Sequence, residues 1–309
     1  MIVLYILLIL LALYVLFILI PSLLLFQFVF SRHPSTAPLE ERQLKGTRYE
    51  PYSDVLVPAV RFLEALPYEK AEIVSHDGLR LRGRYIGAGS DKTIVFCHGY
   101  RGTELSNTCA QARWAYEKGY NILLICMRAH GESEGKRPAL GMLERYDIAR
   151  WADYAAEKDG VKSVALYGVS MGAAAVGYAS ELITNPKVKA LVIDCAFASP
   201  KKQLDWDGKI RHVPYPLVLP IIRICAYLTL HEDIYYKVGD ALKNCSIPAL
   251  FIHGTEDMTV PFEQGRANYD ACASEKEFIV VEGADHIIAY TVGGEKTKRK
   301  LNDFLESHL

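Results

Sequence analysis

The pentapeptide Gly168–Gly172, with the sequence Gly-Val-Ser-Met-Gly, constrains this chain more than any other feature. The apolar run Val164–Tyr167 precedes it, and the small-residue run Ala173–Val176 follows it. This order predicts a strand, a sharp turn with Ser170 at its tip, and a helix. Glycines two residues before and after the serine let the strand and the helix approach closely. The segment therefore predicts a nucleophile elbow, whose catalytic partners must lie elsewhere in the chain.

Two later loops offer those partners. The apolar run Ala249–Gly254 predicts a buried strand, and Asp257 lies in the loop that follows it. The run Glu277–Val281 predicts the last strand, and the next loop ends in His286. A serine, an aspartate and a histidine then follow one another in the chain order of one known catalytic triad.

Two further motifs accompany the elbow. The apolar run Thr93–Cys97 ends in His98-Gly99-Tyr100-Arg101-Gly102, and the segment Met127–Gly135 contains Arg-Ala-His-Gly-Glu-Ser-Glu-Gly. With these motifs in order, the chain from about Ile73 to Leu309 resembles the α/β-hydrolase superfamily of serine enzymes. Within it, the chain looks most like membrane-tethered or intracellular esterases, thioesterases and serine peptidase-like hydrolases of the dienelactone-hydrolase and acyl-thioesterase kind.

The resemblance implies an α/β-hydrolase fold, a doubly wound and mostly parallel sheet with a small cap insertion, here preceded by one transmembrane helix. The site residues that it implies are Ser170, Asp257 and His286 for the triad, and the backbone N–H groups of Tyr100 and Met171 for the oxyanion hole. Asp194, at the end of the predicted sixth strand, remains the alternative acid, because some members of the fold place their carboxylate there. The Tyr100 hydroxyl is either a third oxyanion contact or part of the pocket wall.

Other polar residues of these motifs have structural interpretations. The resemblance gives His98 and His130 a role in orienting strand ends, and it makes Arg128 and Asp147 a buried or semi-buried polar pair. No histidine pair has metal-ligand spacing, and no G-x-G-x-x-G follows an early strand. We therefore expect no cofactor and no metal.

Residues 1–30 carry no charged side chain and predict a transmembrane helix, because about 20 apolar residues cross a bilayer core of about 30 Å. A cleaved signal peptide has a shorter apolar region, after basic residues and before an A-x-A-like site. A buried core helix is the other alternative. We expect the segment to anchor the enzyme in the lipid bilayer without shaping its active site.

Charge and cysteine content predict on which side of the membrane the catalytic domain lies. The basic residues that follow the span predict a cytoplasmic catalytic domain; they are Arg32, Arg42, Lys45 and Arg48. Seven cysteines without paired spacing also fit a reducing compartment better than a disulfide framework. We therefore expect a single-pass membrane protein with its catalytic domain in the cytoplasm.

The remaining sequence predicts a linker or arm over residues 31–67 and one hydrolase domain over 68–309. The Asp77-Gly78 pair between alternating segments predicts a hairpin, and strands alternating with helices follow it. The alternation of strands and helices stops at about 197–241, which predicts that this segment forms the cap. A second membrane span there is disfavoured by three prolines within seven residues and by Arg223, whereas a helix packed on the core is the other alternative to a cap.

Composition narrows the function. Thirty-five basic and 36 acidic residues leave no basic excess that a nucleic-acid partner would require. The leading hypothesis is hydrolysis of the carboxylic ester or thioester of a small-molecule acyl substrate. A serine peptidase of the same fold and a non-catalytic membrane-tethered binding protein are the alternatives.

Overall fold

A computed structural model describes residues 1–34, 40–213 and 215–309. Its centre is an eight-stranded sheet in the order β1-β2-β4-β3-β5-β6-β7-β8. The strands are β1 (Glu69–Val74), β2 (Arg80–Ile86), β3 (Lys92–Cys97), β4 (Asn121–Ile125), β5 (Ser163–Val169), β6 (Val188–Asp194), β7 (Ala249–Gly254) and β8 (Lys276–Val281). The expected hairpin is β1 and β2, closed by a hydrogen bond from the Ser75 N–H to the Leu79 carbonyl.

The sheet is parallel from β4 through β3 to β8, and only β2 pairs with its neighbours in the antiparallel sense. The central strands β4, β5 and β7 are buried along their whole length. Helices must therefore cover both faces of the sheet, as parallel sheets require. This architecture confirms the predicted doubly wound, mostly parallel sheet.

The helices of the domain follow one another as α3 (Glu41–Leu44), α4 (Ser53–Ala65), α5 (Cys109–Glu117), α6 (Glu144–Ala156), α7 (Met171–Ala179), α8 (Pro200–Arg211), α9 (Tyr215–Leu230), α10 (Val238–Leu242), α11 (Phe262–Ala271), α12 (Ala289–Val292) and α13 (Gly294–His308). One apolar core lies between the sheet and α6, α7 and α10. A second lies between the other face and α4, α5, α12 and α13.

A single helix, Ile2–Val29, precedes the domain and is hereafter the N-terminal helix. It consists of α1 (Ile2–Tyr14), a π-helical turn (Val15–Leu19) and α2 (Ile20–Val29). The helix is long and apolar enough to cross a membrane, but a signal sequence near the N-terminus would meet the same criteria. Its last part packs against α9.

The segment 31–67, expected to be a linker or arm, packs against the domain through α4. Helix α4 buries Ala59, Val60 and Leu63 in the core that it shares with α5, so this part of the segment lies against the domain. Residues 35–39 of the expected linker, and Pro214 of the expected cap, lie outside the described residues. The described residues of the expected cap form α8, α9 and α10.

Candidate active site

Ser170 lies in the sharp turn between β5 and α7, with φ 56° and ψ −117°. A positive φ is uncommon in a residue with a side chain, and such strained residues cluster at functional sites. Two backbone hydrogen bonds of 2.9 Å hold the turn, from the Ser170 N–H to the Asp194 carbonyl and from the Ala174 N–H to the Ser170 carbonyl. The structure thus forms the turn that the pentapeptide predicts.

The two flanking glycines are required by contact between backbones. A Cβ atom on Gly168 would meet the carbonyl oxygen of Gly172 and the backbone of Ala173, well inside van der Waals contact. A Cβ atom on Gly172 would overlap the carbonyl of Cys97, at the end of β3. Glycine is therefore the residue that lets α7 begin directly against β3 and β5.

His286 lies in the loop after β8, and its Nε2 atom is 2.9 Å from the Ser170 Oγ atom. On the other side of the ring, Nδ1 is 2.7 Å from Oδ2 of Asp257. A carboxylate only accepts hydrogen bonds, so Nδ1 carries the proton of the neutral ring. The Nε2 lone pair is then free to accept the proton of the serine hydroxyl.

Asp257 follows β7 and is held by its own loop. Its Oδ1 atom accepts the backbone N–H groups of Thr259 and Val260 at 2.9 and 2.7 Å. Burial by itself would raise the pKa of this carboxyl group, but the adjacent imidazoles of His286 and His253 outweigh that effect. The net result is a pKa well below the usual range, so Asp257 is ionised at neutral pH.

Asp194, the alternative acid, faces a different partner. Its Oδ2 atom accepts the Tyr167 hydroxyl at 3.0 Å, whereas the hydrogen bond to His286 comes from Asp257. Burial raises the pKa of Asp194 to about 6. The structure therefore brings Ser170, His286 and Asp257 together and leaves Asp194 beside them, with its backbone carbonyl supporting the elbow.

The two expected oxyanion donors flank the serine. Tyr100 lies between two residues whose N–H groups are already bound, Gly99 to Asn107 Oδ1 and Arg101 to His130 Nε2, both at 3.0 Å. Among residues 1–34, 40–213 and 215–309, the N–H groups of Tyr100 and Met171 have no hydrogen-bond acceptor. These two donors remain available to a bound oxyanion.

The Tyr100 side chain answers the question that the sequence leaves open. Its hydroxyl donates a hydrogen bond to the Val29 carbonyl at 2.8 Å, so it points to the N-terminal helix. The ring lines the cavity beside Ser170. Tyr100 is therefore part of the pocket wall, and its hydroxyl is not a third oxyanion contact in this arrangement.

His98 and His130 hold loops together. The Nε2 atom of His98 accepts the Met127 N–H at 3.1 Å, and that of His130 accepts the Arg101 N–H. Burial lowers the pKa of His98 to about 4 and that of His130 to about 3. Both rings are neutral at neutral pH, which keeps these acceptor atoms unprotonated.

Arg128 and Asp147 form a buried ion pair. Two hydrogen bonds of 2.6 and 2.7 Å join the guanidinium to the carboxylate. Arg128 also binds both carboxylate oxygens of Asp77, in the hairpin turn. The pair therefore fixes the loop after β4 to α6 and to the turn between β1 and β2.

A cavity of about 500 Å³ lies beside Ser170. Sites for small molecules commonly measure about 300–1,000 Å³. Helix α8 contributes Leu204, Asp207 and Arg211 to its wall, and α9 contributes Tyr215 at its start. The segment predicted as a cap therefore borders the cavity, as a cap must.

The position of the N-terminal helix corrects one expectation. Leu25, Phe28 and Val29 of the N-terminal helix line the same cavity as Ser170. Arg101 strengthens this contact by donating to the Phe28 carbonyl at 3.0 Å. The expectation that this helix does not shape the active site is therefore wrong, because its last two turns pack on the domain.

Arg48 is a site residue that the sequence does not identify, since its only visible signal was positive charge. Its guanidinium pairs with the Asp285 carboxylate at 3.0 Å and donates to the Thr259 hydroxyl. Asp285 in turn accepts the backbone N–H groups of Met258 and His286 at 2.9 and 2.7 Å. Arg48 thus ties the arm to both loops that carry the acid and the histidine.

Cys195, Asp257 and His286 offer ligand atoms within 4.8 Å of one another, as a metal site would. Burial raises the pKa of the Cys195 thiol well above its usual value, which disfavours the thiolate that metals bind. The other two side chains already bond each other. The donor set therefore suits a hydrogen-bonded triad better than a metal centre.

Comparison with known proteins agrees with this architecture. A family model described as the alpha/beta hydrolase fold matches residues 92–218. The chain is 24% identical to the uncharacterized protein YqkD of Bacillus subtilis over 243 residues, which cover 76% of this chain and 78% of that protein. It is 26% identical over 186 residues to human protein ABHD12B, covering 57% of this chain and 49% of the human protein.

Solved structures give the same result. The esterase PF2001 of Pyrococcus furiosus superposes with a TM-score of 0.69 at 21% identity, covering 91% of this chain and 98% of the esterase. Est1E of Butyrivibrio proteoclasticus, solved with ferulic acid, has a TM-score of 0.57 at 18% identity, covering 78% and 99% of the two chains. The sheet order, the family model and these structural likenesses together show that the chain has the alpha/beta hydrolase fold.

Proposed function

We propose that this protein is a membrane-anchored serine hydrolase that cleaves carboxylic esters or thioesters through an acyl-serine intermediate. The observation that carries the proposal is the hydrogen-bonded series from Ser170 Oγ to His286 Nε2 at 2.9 Å and from His286 Nδ1 to Asp257 at 2.7 Å. Ser170, at one end of this series, lies in a strained turn and lines a cavity. A fold alone does not assign a function, so the proposal depends on this site.

In the first half-reaction, Ser170 Oγ attacks the acyl carbon while His286 Nε2 takes the hydroxyl proton. The carbonyl oxygen becomes an oxyanion, which the N–H groups of Tyr100 and Met171 would bind. Each such donor lowers the barrier by about 3 kcal/mol. The intermediate collapses by breaking the bond to the alkoxide or thiolate, which receives the proton from His286.

In the second half-reaction, water attacks the acyl-serine ester and gives a proton to the same nitrogen. Collapse of the second oxyanion breaks the bond to Ser170 Oγ, which takes the proton back and releases the carboxylic acid. Asp257 stabilises the imidazolium at both stages because it stays ionised. The sum is hydrolysis of one acyl bond by one water molecule.

The proposal is tested with the full-length protein in detergent. A fluorophosphonate probe should label Ser170, as located by mass spectrometry, and p-nitrophenyl esters and acyl-thioesters should be hydrolysed. A wild-type protein that neither takes the label nor turns over any acyl substrate would instead be a binding protein, and the proposal would be wrong.

A serine peptidase is the second candidate, because one carboxylate reaches the cavity. Asp207 lines it, and burial raises the pKa of this group, while its neighbour Asp205 pairs with Lys201 on the same helix. A single acid of this kind is a weak site for a substrate amine. Aminoacyl p-nitroanilides, assayed beside the esters with the wild type and Asp207→Asn, distinguish the two activities.

We further propose that the N-terminal helix crosses the membrane and that the catalytic domain faces the cytoplasm. Support comes from the absence of charge over residues 1–30 and from the basic residues that follow. Protease added to intact cells or spheroplasts should leave the domain uncut. Cleavage without permeabilisation would reverse the orientation.

A further inference from the structure

The N-terminal helix is longer than a bilayer crossing requires. Its 28 residues extend about 42 Å at 1.5 Å per residue, whereas a hydrocarbon core of about 30 Å needs about 20 residues. About eight residues therefore remain after the crossing if the first residues enter the bilayer. These are the residues that reach the active-site cavity.

Burial changes along the helix in agreement with this division. None of the residues of α1 is buried. Ser22, Phe26 and Phe30, each four residues after the last, are at most 2% exposed. Residues at intervals of four lie on one face of a helix, so a single face of the last two turns packs on the domain. Leu25 and Val29 lie next to this face and border the cavity.

Helix α9 continues the apolar surface beside the N-terminal helix. Leu217, Ile224 and Leu228 are spaced along one face of α9 and are 57%, 59% and 68% exposed. A contiguous exposed apolar face beside a membrane helix is typical of contact with lipid. The one basic residue on this helix, Arg223, is paired with Asp233 at 2.6 Å.

The cavity thus lies between two elements whose outer faces suit a bilayer. Leu25 and Val29 of the N-terminal helix, Leu204 of α8 and Tyr215 of α9 all line it. The reactive Ser170 hydroxyl lies in the same cavity. An acyl chain that packs against Leu25 and Val29 of the N-terminal helix would therefore lie in the same cavity as Ser170.

We propose that the substrates are long-chain acyl esters resident in the bilayer, and that Leu25 and Val29 of the N-terminal helix form the binding wall for their acyl chain. This inference rests on the proposed hydrolase function and names its substrate class. The N-terminal helix is then part of the active site as well as an anchor. A short, water-soluble ester uses Ser170 without needing this wall.

The test compares two tryptophan variants of the full chain in phosphatidylcholine vesicles. Leu25→Trp narrows the cavity, whereas Leu24→Trp makes the same change at a position that is 66% exposed and outside the cavity wall. The substrates are p-nitrophenyl acetate and p-nitrophenyl palmitate. We expect the palmitate-to-acetate ratio of kcat/KM to fall at least tenfold in Leu25→Trp and to stay within twofold of the wild type in Leu24→Trp.

Fluorophosphonate labelling of Ser170 in each variant shows that the active site is folded. Equal palmitate-to-acetate ratios in the two labelled variants would overturn the inference while leaving the proposed hydrolase function intact. A wild type that neither labels nor hydrolyses the acetate ester would overturn the hydrolase function itself, and the inference with it. A Leu25→Trp protein that does not label is replaced by Val29→Trp, with the same criteria.

A second measurement asks where the substrate comes from. A fluorogenic ester with two long acyl chains, which stays in its vesicle, is placed either in the vesicles that hold the enzyme or in separate vesicles. We expect hydrolysis at least tenfold faster when enzyme and ester share a bilayer. Equal rates in the two arrangements, or no hydrolysis of this ester by enzyme that cleaves p-nitrophenyl acetate, would overturn supply from the bilayer.

Discussion

Replacing Asp257 with asparagine tests the proposed triad sharply, because the structure determines which way the new amide would face. Oδ1 of Asp257 accepts two backbone N–H groups, whereas Oδ2 faces Nδ1 of His286 at 2.7 Å. An amide NH₂ in the first position would meet two donors and leave both unsatisfied, at a cost of about 1–3 kcal/mol each. The amide oxygen therefore takes the Oδ1 position, and the NH₂ group faces His286.

That orientation reverses the tautomer of the imidazole. With an NH₂ donor opposite, Nδ1 of His286 must accept, so the proton of the neutral ring moves to Nε2, which faces the Ser170 hydroxyl. The ring then has no lone pair to take the serine proton. The equivalent change in a serine protease triad lowers kcat about 10⁴-fold, which corresponds to about 5 kcal/mol in the activation barrier.

The assay is steady-state hydrolysis of p-nitrophenyl esters by the full-length protein. The matched control is Asp194→Asn, since Asp194 is a buried carboxylate in the next strand that bonds Tyr167 and not His286. We expect the control to keep kcat within about fivefold of the wild type. Near-wild-type activity in Asp257→Asn together with an inactive Asp194→Asn would refute the reasoning and assign the acid to Asp194.

Three further outcomes are expected. Ser170→Ala should abolish fluorophosphonate labelling and esterase activity; undiminished labelling would show another nucleophile. Gly172→Ala should lower the free energy of unfolding by about 3 kcal/mol, because its Cβ overlaps backbone, and an unchanged melting temperature would contradict this. Burial raises the pKa of Asp194 from 3.8 to about 6, so between these values the folded protein holds a proton that the unfolded chain releases. As the pH rises from about 4 to 6, the free energy of unfolding of the wild type should therefore fall by about 3 kcal/mol relative to that of Asp194→Asn. Parallel stability profiles of the two proteins over this range would argue against it.

Much of the fold was readable from local patterns. Apolar runs predicted the parallel strands, the Asp77-Gly78 pair predicted the hairpin, and the pentapeptide predicted the turn around Ser170. The exact start of a helix was less predictable, as in α6, which begins only at Glu144. The backbone at Leu140 and Gly141 has positive φ, and the Glu144 carboxylate caps the N–H groups of Ala139 and Gly141.

The sequence by itself determined the features that depend on neighbouring residues: the strand-turn-helix at Ser170, the chain order of the triad residues, and the apolar length of the N-terminal helix. Only the tertiary structure decided that Asp257 rather than Asp194 contacts His286, that Arg48 contacts the loops of both residues, and that Leu25 and Val29 line the cavity. The Tyr100 hydroxyl and the Val29 carbonyl that it binds are 71 residues apart. Contacts over such separations form only when the sheet brings its loops to one edge, so no local pattern records them.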